Sequence, residues 1–357
     1  MHKSIPLISV VMSIYKEPEY MLRQSIESIL FQSMDDFELI IILDCPDYEG
    51  NSIVEEYASN DERIKVIYNV SNLGLTKSLN KGLKCAKGKY IARMDADDIS
   101  ELCRLEVQYR FMEKNSEVSV VGAYIDGFDE KGNHIIGQNN CTENMEINRI
   151  RMLFCNAGIA HSTAFMRKSF LDEKNICYDE NMKKSQDYGL WTDIVMQEGR
   201  IEIIHEVLLR YRIHSKQITN VNADEQRICL LYNIRKQFSK YFNCSIDENE
   251  AKIHYSLYHF DPNITIKEYE EYIEKLIKQN KKYHCFNDEL FIDELQYMLL
   301  KNIIKAVVRF RRISFLKSKY LINRHVINVV KKLIVQEKSN RQYKRVLEQY
   351  IKCMNEK

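Results

Sequence analysis

The chain of 357 residues carries 52 Lys and Arg against 51 Asp and Glu, a net charge of +1, and 45% of its residues are hydrophobic. This length exceeds one ordinary domain and this composition excludes a disordered chain, so we predict one large and one smaller domain. The net charge hides a segregation. Residues 301–357 hold sixteen Lys and Arg against three acidic residues, a net +13, which leaves the remainder at −12.

Residues 5–95 alternate short apolar runs with helical spacing. Strands are predicted over 7–12, 38–43, 64–68 and 90–94, and helices begin near Glu19, Ser52 and Leu75 between them. This order predicts an α/β domain with a mostly parallel sheet and crossover helices. Ligands of such sheets bind at the carboxyl ends of the strands, where Ser13, Asp44 and Asp95 fall.

The sequence changes character from about Asp224, where long Lys- and Tyr-rich helical patterns begin. Helices of three or more turns are predicted over 268–279, 288–310, 316–335 and 341–352. We therefore predict an α/β domain over residues 1–220 and a basic, mainly helical domain over 221–357.

The sequence predicts neither a targeting segment nor a disulfide framework. The N-terminus lacks the apolar core of a signal peptide, and no apolar run reaches the length that crosses a bilayer. The ten cysteines are scattered singly with no CxxC pair, which favours reduced thiols. We expect a cytoplasmic protein, either in solution or attached peripherally to the inner face of the membrane.

Three carboxylates, Asp95, Asp97 and Asp98, follow the fourth predicted strand within four positions. Like charges this close repel one another unless a positive charge lies among them, and a divalent cation commonly supplies it. An all-oxygen set suits Mg²⁺ or Mn²⁺ better than zinc. The alternative is a solvated acidic turn or the first turn of a helix.

Several segments in this order resemble the family 2 glycosyltransferases of the GT-A fold. They are SVVMSIYKE at 9–17, FELIIILD at 37–44, NLGL at 72–75, SLNKG at 78–82 and AKGKYIARMDADD at 86–98. The resemblance covers roughly residues 5–215. It implies a Rossmann-like sheet flanked by helices, a nucleotide-sugar donor and a divalent metal.

The resemblance assigns the acidic residues and the nucleotide pocket. Asp97 would hold the metal, Mn²⁺ or Mg²⁺, against the donor diphosphate, and Asp95 would reach the ribose or the metal. The nucleotide pocket would be lined by Ser13, Tyr15 and Glu17, with Asp44 accepting a hydrogen bond from the base. One departure is Leu79 beside Asn80, where many members have Arg; Lys77 is the candidate that replaces this charge, although an exposed helical Lys is the alternative.

The segment SQDYGLW at 185–191 resembles the acidic motif of this family. An inverting transferase needs one carboxylate to take the proton from the acceptor hydroxyl, and Asp187 stands at the matching position. Gln186 replaces the other acid of the motif. The alternative for Ser185 and Asp187 is capping of a helix. Trp191 is either an acceptor contact that stacks on a sugar or a core residue.

Two histidines complete the resemblance. His161, in a loop that shapes the acceptor side in many members, is expected to contact a sugar. His214 ends the segment YRIH, where a third metal ligand is found in the family, and a neutral imidazole suits Mn²⁺. A surface or core role is the alternative for a lone histidine.

The reaction implied is a single inverting displacement at the anomeric carbon. By family frequency, the expected donor is a UDP-linked hexose or N-acetylhexosamine. The expected acceptor is a growing bacterial surface glycan, such as capsule, O-antigen or lipooligosaccharide, with a lipid-linked acceptor as one form.

Two other classes of protein are alternatives to a glycosyltransferase. A nucleotide-binding oxidoreductase is disfavoured because no GxGxxG follows the first strand. A nucleic-acid-binding module is suggested by the +13 tail, yet no RNA- or DNA-binding motif accompanies it, so no nucleic acid partner is expected.

The tail has a more specific interpretation. Apolar residues recur at Leu300, Ile303, Ile304, Val307 and Val308, and the flanking cations are Lys301, Lys305, Arg309 and Arg312. This pattern is typical of a helix lying on an anionic membrane surface, and residues 300–357 are the segment predicted to bind one. The alternative is a helical domain that packs its own apolar stripe.

Overall fold

The computed structural model describes residues 5–129, 132–136, 144–156, 159–182, 184–214 and 223–310. The chain forms two compact units. The first comprises Met1–Met145 and Ala157–Asn233, and the second comprises Glu146–Asn156 and Ile234–Lys357. The second unit thus takes in a short segment from the N-terminal half, which composition does not reveal. The predicted domain bounds of 1–220 and 221–357 stay a prediction.

One mixed sheet forms the centre of the first unit. Its strands within the described residues are β1 (Ile8–Ile14), β2 (Phe37–Leu43), β3 (Ile64–Tyr68), β4 (Tyr90–Asp95), β5 (Ile99–Ser100), β6 (Val118–Asp129), β7 (His134–Ile136), β8 (Phe165–Arg167) and β9 (Arg200–Ile213). They are ordered β3-β2-β1-β4-β8-β6-β9-β5, and β7 pairs with β6. The first four strands are parallel, which confirms the α/β prediction.

The helices of the first unit pack on this sheet. They are α1 (Glu19–Leu30), α2 (Asn51–Asn60), α3 (Leu75–Cys85), α4 (Arg104–Lys114), α6 (Lys168–Glu173) and α7 (Gln186–Met196). Apart from its first residue, α5 (Met145–Arg151) belongs to the second unit. Every residue of β2 is buried, as expected for a strand that is covered on both faces. By contrast β3, at the edge of the sheet, is only partly buried and carries the exposed Lys65.

The order of the strands brings the carboxyl ends of three neighbouring strands together. Because β1 lies between β2 and β4, the chain changes direction across the sheet at this strand. Ser13 stands in register with Asp95 of β4, and the amide of Asp44 donates to the carbonyl of Ile14 at 2.8 Å. The ends of β1, β2 and β4 therefore form the switch point at which α/β proteins bind ligands.

The second unit is helical. It contains the part of α8 (Ala223–Phe242) that begins at Ile234, together with α9 (Glu248–His259), α10 (Ile266–Tyr283) and α11 (Asp288–Phe310). A full capping box at Thr265 and Glu268 begins α10. The imidazole of His254 is buried in an aromatic cluster, stacked on Phe154 with ring centroids 4.3 Å apart.

The apolar stripe predicted to face a membrane is buried in its described part. Leu300, Ile303 and Ile304 are at most 4% exposed, and Asn302 beside them donates to the carbonyls of Ser256 and Leu257. This part of the stripe packs inside its own helical unit, because α9 and α10 cover it. The membrane prediction is therefore wrong for these residues. The side chains of residues 307–310 and the predicted helices over 316–335 and 341–352 lie outside the described residues.

Two absences hold for the described ranges. None of their helices combines the length and the apolar character that a membrane span needs. No disulfide joins the cysteines placed in these ranges.

Candidate active site

The three carboxylates after β4 converge as their spacing predicts. Asp95, Asp97 and Asp98 each offer an oxygen atom, and these atoms lie within 4.8 Å of one another. Asp98 is fully buried, and its Oδ1 accepts a hydrogen bond from the amide of Arg212 at 2.9 Å. Burial and the charges of Asp95 and Asp97 raise the pKa of Asp98. The buried Asp98 therefore attaches the acidic loop, residues 95–98, to β9.

A buried cation lies beside this cluster, and the sequence analysis missed it. The guanidinium of Arg93 forms an ion pair through Nη1 with Oδ2 of Asp95, and the arginine is only 3% exposed. Burial, together with the charge of Asp97, raises the pKa of Asp95, and Arg93 opposes this rise. One signal was available: residues two apart on a strand point to the same face, so Arg93 and Asp95 were placed to meet.

His214 reaches the same cluster from the end of β9. Its Nε2 lies 3.0 Å from Oδ2 of Asp97. Arg212, two residues earlier, donates from Nε to the carbonyl of Asp97 at 2.8 Å and from Nη2 to Gln24 at 2.7 Å. Arg212 thus ties β9 to the acidic loop. A carboxylate and an imidazole in contact form a donor set that fits Mn²⁺ or Mg²⁺.

The residues predicted for the nucleotide pocket surround the carboxyl end of β1. Ser13 is partly buried there, and Tyr15 is 43% exposed. The amide of Tyr15 donates to Oε2 of Glu17 at 2.8 Å. Burial raises the pKa of Glu17 to about 7, and the charges of Asp97 and Asp95 add to the rise. Glu17 therefore lies within the electric field of the acidic cluster.

Asp44 organises the turn that precedes α3. Its Oδ1 accepts from the side-chain amide of Asn69 at 2.7 Å and from the amide of Leu73 at 2.8 Å, and its Oδ2 accepts from the amide of Gly74 at 2.9 Å. A carboxylate has about four acceptor positions, and these three contacts use two on Oδ1 and one on Oδ2 of the buried Asp44. Lys77 is exposed on α3 and forms no ion pair with another described residue.

Asp187 lies in the first turn of α7. The charge of Asp187 acts on Asp95, and it also contributes to the raised pKa of the buried Tyr178. The candidate base is thus within electrostatic reach of the acidic cluster. Ser185 precedes the helix in a left-handed conformation and makes no side-chain capping bond, so the capping alternative does not describe Ser185.

The two residues predicted to contact an acceptor lie in different surroundings. His161 is partly buried, and its Nε2 lies 2.7 Å from the hydroxyl of Tyr178. Burial and the nearby charge of Arg93 hold the pKa of His161 well below its usual range, so the ring is neutral. Trp191 is fully buried, edge-to-face with His161 at a centroid distance of 6.1 Å. Trp191 thus occupies the core, and the structure presents none of its surface for stacking on a sugar.

Asn80 fixes the backbone of Tyr178, the residue that contacts His161, and was not predicted to do so. Its side-chain amide donates to the carbonyl of Tyr178 at 2.9 Å, and its Oδ1 accepts from the amide of the same residue at 3.0 Å. Thr76 on the same helix donates to the carbonyl of Met182 at 3.0 Å. Helix α3 therefore fixes the segment that leads to Asp187. No local sequence pattern predicts these contacts, because they join residues about a hundred positions apart.

The geometry can be compared with known proteins. Residues 9–174 match the family model described as glycosyl transferase family 2. An uncharacterized glycosyltransferase of Methanocaldococcus jannaschii is 37% identical over 231 residues, which cover 64% of this chain and 79% of the relative. The O-antigen biosynthesis glycosyltransferase WbnJ of Escherichia coli is 35% identical over 240 residues, which cover 66% of this chain and 91% of the relative.

The solved structures add evidence on the fold. S. aureus TarS 1-349 in complex with UDP-GlcNAc superposes with a TM-score of 0.56 at 17% identity, over 86% of this chain and 88% of that chain. At this identity the likeness concerns the fold, which is the GT-A type expected from the motifs. The relatives and the family model remove the oxidoreductase alternative. The chain belongs to glycosyltransferase family 2 and is an enzyme of that class.

Proposed function

We propose that this enzyme is an inverting, metal-dependent glycosyltransferase that uses a UDP-linked donor and extends a bacterial surface glycan. The observation that carries the proposal is the contact of His214 with Asp97, 3.0 Å apart, in a cluster on which the charge of Asp187 also acts. The candidate metal ligands thus lie within electrostatic reach of the candidate base.

The donor side follows from the pocket around β1. Tyr15 and Glu17 line the space beside the acidic cluster, and Asp44 is the candidate acceptor for an N–H group of the base. A divalent cation held by Asp97 and His214, with Asp95 as the third candidate, would neutralise charge on the leaving diphosphate. The UDP-GlcNAc complex of TarS, a protein with the same fold, supports a UDP-linked hexose or N-acetylhexosamine.

The acceptor side follows from Asp187. Its carboxylate takes the proton of the acceptor hydroxyl while the hydroxyl oxygen attacks the anomeric carbon on the face opposite the diphosphate. The bond from the anomeric carbon to the diphosphate oxygen breaks, and its electron pair leaves with the diphosphate. One displacement inverts the anomeric configuration and requires no covalent enzyme intermediate. The candidate sugar contact beside this base is His161, whose imidazole is held by the hydroxyl of Tyr178.

The proposal for the acceptor is based on the name of a relative. WbnJ is named for O-antigen biosynthesis, which supports a surface glycan as the acceptor, with a lipid-linked form presented at the inner face of the membrane. Attachment to anionic lipid rests on the net +13 of residues 301–357. The buried stripe at Leu300, Ile303 and Ile304 does not contribute to it.

A donor screen tests the proposal. Purified enzyme is incubated with Mn²⁺ and each member of a panel of UDP-, GDP-, dTDP- and CMP-linked sugars, and nucleotide release is measured. We expect release from UDP-linked sugars, with loss of release in EDTA. Folded enzyme that releases no UDP from any of them overturns the donor assignment, and full activity in EDTA overturns the metal.

A further inference from the structure

The acidic cluster carries its own counter-ion. Three carboxylates within four residues suggest that a bound metal must relieve their repulsion. The structure instead pairs one of them, Asp95, with a guanidinium of the chain itself, that of Arg93. We infer that Arg93 is a positioning residue that holds Asp95 away from the cation. The free enzyme then binds Mn²⁺ weakly and gains affinity when the donor diphosphate is present. This inference rests on the metal in the proposed function.

Arg93 is built into the core of the sheet. Its side chain is 3% exposed, and Nε and Nη1 are buried without a hydrogen-bond partner among the described residues, so the ion pair of Nη1 with Asp95 is what compensates the buried charge. A buried guanidinium is costly unless it is paired, so the pair with Asp95 is strongly favoured over any arrangement that separates the two. The hydroxyl of Ser25 donates to the carbonyl of Asp95 at 2.8 Å and holds the backbone in place. Oδ2 of Asp95 is therefore held by Arg93.

A second buried cation reinforces this effect. Arg104 is fully buried and donates from Nη2 to the carbonyl of Arg93 at 2.7 Å. Its charge acts on both Asp95 and Asp98. Two fixed positive charges thus lie on the inner side of the cluster. They offset the negative potential that would otherwise attract a divalent ion to the free enzyme.

Asp97 differs from Asp95 in its exposure to solvent and in the partner of its carboxylate. Its side chain is 23% exposed, and the side-chain partner of its carboxylate is the imidazole of His214, which is 11% exposed. An imidazole can itself become a metal ligand, whereas a guanidinium cannot. Asp97 and His214 are therefore the protein groups available to the ion. The negative charge that completes the attraction comes from the diphosphate, whose oxygens are hard ligands for Mn²⁺.

The test is a titration of Mn²⁺ binding by electron paramagnetic resonance, which needs no turnover. For the wild type we expect UDP to tighten Mn²⁺ binding by about tenfold or more, since it adds negative charge at the site. Without UDP, Arg93→Gln should bind Mn²⁺ about tenfold more tightly than the wild type, because a positive charge close to the ion is removed. Arg93→Lys, which keeps the charge, should resemble the wild type. A merely structural role for Arg93 predicts the opposite sign for Arg93→Gln, a loss of binding.

The double variant Arg93→Gln with Asp95→Asn keeps the net charge and leaves no buried charge unpaired, so it guards against misfolding of the single variant. We expect its Mn²⁺ affinity to stay within about threefold of the wild type. Lost binding in a double variant with a normal melting transition would make Asp95 a metal ligand and overturn the inference. So would equal Mn²⁺ affinity of the wild type with and without UDP. Sugar transfer in EDTA would instead overturn the metal in the proposed function, so the two failures are distinguishable.

Discussion

Nε2 of His214 lies 3.0 Å from Oδ2 of Asp97, although 117 residues separate them. The contact exists because β9 runs past the acidic loop and Arg212 fastens the two together. The backbone amide of Arg212 donates to Asp98, and its Nε donates to the carbonyl of Asp97. The position of His214 is therefore set by the sheet.

Replacement of His214 should weaken metal binding. We expect His214→Ala to lower Mn²⁺ affinity in the presence of UDP by about tenfold or more, because a nitrogen ligand is lost. Mn²⁺ titration measures the effect. His205→Ala, on the same strand but exposed and stacked on Tyr124, is the matched control and should bind like the wild type. Unchanged binding in His214→Ala would remove this histidine from the metal site.

Replacement of Asp187 should separate binding from chemistry. Asp187→Asn loses the proton acceptor but keeps its size, so we expect kcat for transfer to fall by about 10²- to 10⁴-fold. The Kd for UDP, measured by calorimetry, should stay within about twofold, because Asp187 lies on the acceptor side. Asp193→Asn, on the same helix and partly buried, is the control and should retain transfer. Normal turnover in Asp187→Asn would show that another group is the base.

Replacement of Asn80 should loosen the acceptor side. Asn80→Asp keeps an acceptor for the amide of Tyr178 but loses the donor to its carbonyl, which leaves a buried group unpaired. We expect a loss of about 1–3 kcal/mol in the free energy of unfolding. Transfer should also fall more than donor hydrolysis, since His161 and Asp187 lie on this side. Lys84→Ala, exposed on the same helix, is the control. Equal losses in transfer and hydrolysis would contradict a role specific to the acceptor.

Burial of His254 should make the helical unit sensitive to acid. Its Nδ1 and Nε2 lie 3.0 Å from the hydroxyl of Tyr272 and 2.7 Å from the carbonyl of Leu153, and burial lowers the pKa of His254 to about 4. The unfolded chain binds a proton near pH 6.5, and the folded state resists it until about pH 4. The contribution of the neutral His254 to the free energy of unfolding is therefore fully present above pH 6.5 and is lost as the pH falls toward 4.

Urea unfolding at pH 7.5 and pH 5 measures this loss. We expect the wild type to lose about 2 kcal/mol more than His254→Gln over this interval, at about 1.4 kcal/mol for each pH unit below 6.5. Far-UV circular dichroism follows the helices. Fluorescence of the single tryptophan, Trp191, reports the first unit separately. A pH dependence that is the same in both proteins would show that His254 does not titrate in this way.

Much of the first unit could be predicted because its signals are local. Apolar runs of strand length and helical spacing predicted β1 to β4 and the helices between them, and the acidic loop follows β4 as expected. Each of these features depends on neighbours within a few residues along the chain. The motif series extended this prediction to the family, because its short segments occur in a fixed order.

Burial and long-range pairing were decided by the tertiary structure. The apolar stripe at Leu300, Ile303 and Ile304 has the same helical spacing whether it contacts lipid or protein. In the fold these side chains are buried inside the helical unit, where α11 contacts α9 and α10. The sequence by itself determined the chain order of β1 to β4, the helices between them and the place of the acidic loop. Only the fold decided that Asn80 holds Tyr178 and that His214 contacts Asp97, because each contact needs a partner whose approach is set by the packing of whole strands and helices.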